Sequence, residues 1–174
     1  AIGSGALGSN TNGSENTVLG YNALDANTSG GSNVAVGKQA LTANTTASYN
    51  VAIGVDAMAA NTTGNQNVVV GSLALDANTT GIYNVAIGHL ALSGNTTAGK
   101  NVAVGHAALR FNSTGANNVA LGTNALTANT TANQNVAVGY DALASTTTGA
   151  QNTAVGGYAL DTNTTGAYLS LIHI

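Results

Sequence analysis

His89 and His106 stand seventeen residues apart in a chain that repeats with that period, so their side chains share a column on adjacent repeats. Two imidazoles about 5 Å apart could together hold a metal ion. The column continues as Ser72 and Thr123 and carries no carboxylate, so the pair reads as drift on a surface. The acids Glu15, Asp25, Asp56, Asp76, Asp141 and Asp161 are spread over different columns, and no two share a column of neighbouring repeats. A hydrolase built on paired carboxylates therefore has no support. A nucleophile elbow, a Gly-rich phosphate loop with its Lys and the Gly/Asp nonapeptide of calcium-binding β-rolls are all missing from the sequence. No catalytic, cofactor-binding or metal-binding residue is assigned, and the chain reads as a non-enzyme without cofactor.

Charge narrows the classes further. Charged residues make up 5% of the chain, against about 25% in an average protein. The cations are Lys38, Lys100 and Arg110, and the net charge is −3. Three scattered cations cannot make the basic stripe that neutralises phosphates, so a nucleic-acid partner is not expected. No apolar run reaches the ~18 residues of a membrane-spanning helix, so no membrane insertion is expected in this segment. The chain has no Cys, Pro or Trp.

The elements that would position any chemistry are set by one unit, N-V-A-V-G-x-x-A-L-x-A-N-T-T-G-x-x, repeated without insertion or deletion. Its first Asn recurs as Asn16, Asn33, Asn50, Asn67, Asn84, Asn101, Asn118, Asn135 and Asn152. Its fifth residue is always Gly: Gly3, Gly20, Gly37, Gly54, Gly71, Gly88, Gly105, Gly122, Gly139 and Gly156. The eighth is always Ala, and the ninth is Leu except at Met58. So short and strict a period indicates a solenoid with one repeat per coil. "VAVG" reads as a short strand, and "ANTTG" has turn chemistry. The expected fold is all-β, a parallel β-solenoid of about ten seventeen-residue coils over residues 1–168.

Strand alternation then assigns faces. Val34, Val51, Val68, Val85 and Val102 at position two point the same way as Val36, Ile53, Val70, Ile87 and Val104 at position four. With the ninth-position Leu they are expected to fill the coil. Position three, Ala35, Ala52, Val69, Ala86, Ala103, Ala120, Ala137 and Ala154, is then expected outside, as a small apolar stripe where copies of the chain meet, most simply in a trimer. The glycines are expected to turn the chain after each strand. The column Asn33, Asn50, Asn67, Asn84, Asn101, Asn118, Asn135 and Asn152 is expected to form an amide ladder along the axis.

The segments "SNVAVG", "YNVAIG" and "QNVAVG" resemble the Hep/Hag-type repeats in heads of trimeric autotransporter adhesins. "VAVGYDALASTTTG" is similar to repeats of bacterial and phage tail-fibre-type proteins. The resemblance implies a trimeric parallel β-roll with the strand turned toward the threefold axis, on a bacterial surface or virion. It implies attachment as the role, with a host glycan or protein as receptor. The unit is three residues longer than the common Hep/Hag unit.

Other readings complete the sequence. Residues 169–174, "LSLIHI", share nothing with the repeat and read as a translated sequencing-library adaptor, so the array is expected to be a piece of a longer one lacking its caps. The tyrosines Tyr21, Tyr49, Tyr83, Tyr140, Tyr158 and Tyr168 are candidates for receptor contact or for covering coil corners. Asn27, Asn44, Asn61, Asn78, Asn95, Asn112, Asn129 and Asn163 match a glycosylation sequon but read as turn caps. Thr at positions thirteen and fourteen raises an alternative function, ice binding. Adjacent residues of an extended segment face opposite ways, so only one outward Thr rank is expected.

Overall fold

The computed structural model describes residues 1–173 and contains strands but no helix among them. The strands are β1 (Thr17–Leu19), β2 (Val34–Val36), β3 (Val51–Ile53), β4 (Val68–Val70), β5 (Val85–Ile87), β6 (Val102–Val104), β7 (Val119–Leu121), β8 (Val136–Val138), β9 (Thr153–Val155) and β10 (Ser170–Ile172). They lie in chain order in one parallel sheet. Each residue pairs with the one a repeat later, Val34 with Val51 and Val85 with Val102. The molecule is a β-solenoid, as the period requires. Residues 169–173, set aside on sequence grounds, extend it: Leu171 pairs with Ala154, and the Leu169 N–H donates to Asn152 Oδ1 at 2.9 Å. Parallel pairing uses backbone alone, so a non-repeat sequence can continue the sheet past the last repeat.

The faces of the strands are the reverse of the sequence expectation. Ala35, Ala52, Val69, Ala86, Ala103, Ala120, Ala137 and Ala154 are fully buried inside the coil, so they cannot be an interface between copies. Position two and position four point outward instead, with Ile53 and Ile87 each 38% exposed. The reason is volume. The ninth-position Leu24, Leu41, Leu75, Leu92, Leu109, Leu126 and Leu143, with Met58, already occupy the lumen, alongside Ala of position eight. A coil this small has room opposite them for one small side chain, Ala in most coils and Val at Val18 and Val69, but not for two β-branched ones. Alternation held; the choice of inner face did not.

Each turn imposes a backbone the consensus does not advertise. The fifth-position glycines have φ between 118° and 147°, a region that L-residues avoid. A Cβ there would also overlap the carbonyl of the next glycine in the file, Gly37 against Gly54 for example. The N–H of Ala40 donates back to the Gly37 carbonyl at 3.4 Å, with Gln39 between them at φ 57°. Positive φ at the third residue marks a type II turn. The buried Leu also sits left-handed, from φ 50° at Leu75 to 54° at Leu41 and Leu92. That conformation costs about 1–2 kcal/mol per residue. Burying a Leu contributes about 1.5–3 kcal/mol, which is enough to hold it there.

Two asparagines, buried except toward the ends of the array, close nearly every coil. Asn33 Nδ2 donates to the Ala47 carbonyl at 2.9 Å, and Asn44 Nδ2 donates to the same oxygen at 3.1 Å. The first Asn also accepts, through Oδ1, the backbone N–H of its successor: Asn50 to Asn33 at 3.0 Å and Asn84 to Asn67 at 2.9 Å. The side-chain amide ladder belongs mainly to the other file. There Asn44 donates to Asn27 Oδ1 at 2.9 Å, Asn61 to Asn44 at 3.0 Å and Asn78 to Asn61 at 3.0 Å. The expected ladder of first-position Asn is thus a ladder from side chain to backbone, with few direct amide pairs such as Asn67 to Asn50 at 3.2 Å. The turn-capping Asn does both jobs.

That ladder has one break. Thr146 stands where an Asn belongs, and Asn129 Oδ1 is buried without a partner. Thr146→Asn would supply the missing donor, while its own Oδ1 would accept Asn163 Nδ2, which now donates to Thr146 Oγ1 at 3.2 Å. An unmade buried hydrogen bond costs about 1–3 kcal/mol. The variant is therefore expected to be more stable by about 1–2 kcal/mol in urea unfolding, with an unchanged m-value. Equal or lower stability would mean that the Asn129 amide is satisfied in another way.

Candidate functional site

The most unusual surface is the outer face of the sheet. Position two presents Val34, Val51, Val68, Val85, Val102, Val119 and Val136, and position four presents Leu19, Val36, Ile53, Val70, Ile87, Val104, Leu121, Val138 and Val155. Every one of these is half-buried or exposed, and no charged residue interrupts either file. With coils about 4.8 Å apart and alternate residues about 6.6 Å apart, the strip covers on the order of 300 Å². That is already the size of the largest apolar patch on many monomers, here drawn out into one uninterrupted strip. Sequence reasoning placed these residues inside; exposure makes them the candidate contact surface.

The remaining candidates lie on the corners. His89 and His106 stack with ring centroids 5.5 Å apart and planes 21° from parallel. Tyr140 meets Tyr158 edge-on at 5.2 Å, and Asp141 beside it raises the Tyr140 hydroxyl above its ordinary pKa, with Tyr158 adding to the effect. Tyr49 and Tyr83 are exposed and stand two coils apart, so they form no continuous platform. The Arg110 guanidinium lies 4.9 Å from the Phe111 ring centroid, a cation–π contact. Partial burial raises the Asp76 carboxyl above the usual range, outweighing backbone hydrogen bonds from Asp76 and Ala77, and nearby Asp56 adds repulsion. Asp76 Oδ1 has no hydrogen-bond partner.

The threonine files divide as expected. Thr45, Thr62 and Thr79 Oγ1 each donate to the carbonyl of the residue one repeat later, at 3.0–3.2 Å. Those hydroxyls are committed to the rod. Thr46, Thr63, Thr80, Thr97, Thr114, Thr131 and Thr148 are exposed as a single rank. The sequon asparagines from Asn27 to Asn129 are fully buried and each donates through Nδ2. Among the described residues there is no cavity, and no group of three His, Cys, Asp or Glu converges.

Compared with known protein families, curated proteins and solved structures, the chain shows no match.

Proposed function

We propose that the chain is a rod-forming segment of a cell-surface adhesin or tail-fibre-like protein, working outside the cell and spacing or presenting an attachment tip. The observation that carries this reading is the pairing of an uncharged aliphatic strip with a body that offers no cavity among the described residues. Such a body transmits position and force. Each coil is hydrogen-bonded to its neighbours through backbone and buried amides, so a pull along the axis loads many bonds at once. The strip is where copies pack, three around an axis, the arrangement that the Hep/Hag resemblance implies. Burying it removes apolar surface from water at about 25 cal/mol per Å².

Light scattering measures the claim directly. The expected mass is that of three chains of 16.9 kDa. The double variant Val85→Lys, Val102→Lys is expected to run as a folded monomer, because it sets six like charges around one axis. A wild-type monomer at high concentration would overturn the trimer. A monomer showing thermal hysteresis would replace this reading with ice binding.

A further inference from the structure

We infer that His89 and His106 form an open binding site for a divalent transition metal ion, taken most tightly as Cu²⁺ and less tightly as Ni²⁺ or Zn²⁺. The rings already face each other at 5.5 Å and 21°, one from each of two adjacent coils. Their backbones are held by the rungs on which they stand. The His89 carbonyl accepts the Ala107 N–H at 3.0 Å, and the His106 carbonyl accepts the Asn124 N–H at 2.9 Å. The spacing is thus a property of the solenoid rather than of a loop.

Metal–imidazole bonds of about 2.0–2.1 Å require the two ligating nitrogens to sit about 3 Å apart. Both side chains are exposed, so tilting the rings toward each other about χ1 and χ2 can reach that distance without moving backbone. Neutral imidazole suits Cu²⁺, Ni²⁺ and Zn²⁺, whereas Mg²⁺ and Ca²⁺ prefer oxygen, and Cu²⁺ heads the affinity order. Ser72 and Thr123 continue the file on either side and bring only hydroxyls. Among the described residues no third His, Cys, Asp or Glu joins the pair. The remaining coordination positions are left to water or to a ligand from outside. Parallel overlap of the rings on rigid rungs sets this pair apart from surface drift.

Calorimetric titration of the full chain with copper sulfate, and separately with nickel chloride, tests the site. One Cu²⁺ per chain is expected, with nitrogen hyperfine structure from two imidazoles in the electron paramagnetic resonance spectrum. His89→Ala and His106→Ala should each weaken binding at least tenfold, while His173→Ala, which removes the tail imidazole, should change nothing. Thr123→His adds a third imidazole to the file and should tighten binding at least tenfold. Circular dichroism of each variant should match the parent, since all these side chains lie on the surface. Unchanged Cu²⁺ uptake by the double variant His89→Ala, His106→Ala would overturn the assignment. So would a Thr123→His variant that binds no more tightly than the parent.

Discussion

Ala86→Glu is expected to unfold the rod around β5, whereas Val85→Lys, one residue earlier, leaves a folded chain. Ala86 is fully buried in the file that runs from Val18 to Ala154, against Leu of the opposite wall. A carboxylate there has no partner and no water. Burying an unpaired charge costs several kcal/mol, and the longer side chain must also displace packed neighbours. The expected loss is about 4–5 kcal/mol, seen as lost strand signal in circular dichroism and as protease sensitivity near residue 86. Val85 faces out, where a lysine can extend into solvent. Had Ala86 lain between copies instead, its Glu variant would be a soluble, well-folded monomer, and that outcome would refute the inner assignment.

The second large effect falls on Gly88. Alanine there meets two obstacles, a backbone at φ 131° and a Cβ driven into the Gly105 carbonyl of the next coil. Strain of about 1–3 kcal/mol adds to the cost of parting two coils, so Gly88→Ala should lose about 3–5 kcal/mol in chemical unfolding. Gly115→Ala is the control. Gly115 also sits close to the next coil, yet its φ lies outside the glycine region, and Ala47, Ala98 and Ala132 occupy the same column. Its loss should stay below about 1 kcal/mol. Equal losses at both positions would mean that crowding, rather than φ, makes the fifth residue glycine.

These pairs show what the sequence could and could not convey. The period, the strand at "VAVG" and the turn at the invariant glycine were legible, because each depends on local chemistry repeated without error. The inner face was not, because alternation separates two faces without saying which is enclosed. A signal was available: position three is Ala in nearly every repeat, while position two changes to Thr17 and Thr153 and position four ranges over Val, Ile and Leu. The stricter column is the confined one. Left-handed Leu was illegible, since nothing in its side chain favours positive φ; its partners across the lumen impose it. The ladder of Asn27, Asn44 and Asn61 was hidden behind a simpler role, since a turn cap and a rung use the same residue. The candidate contact strip was visible as a list of residues but was placed on the wrong side of the wall.

The amide pairs that converge on one carbonyl have a calorimetric consequence. Each coil encloses little more than methyl groups, one Leu and two carboxamides, so melting wets proportionately less hydrocarbon than in an ordinary domain. Hydrating polar groups lowers heat capacity where hydrating apolar groups raises it, so the increment per residue falls below the usual value of about 12–15 cal/mol/K. A small increment flattens the dependence of stability on temperature. The rod's stability is therefore expected to change little between near freezing and well above body warmth, which calorimetry at several temperatures would show.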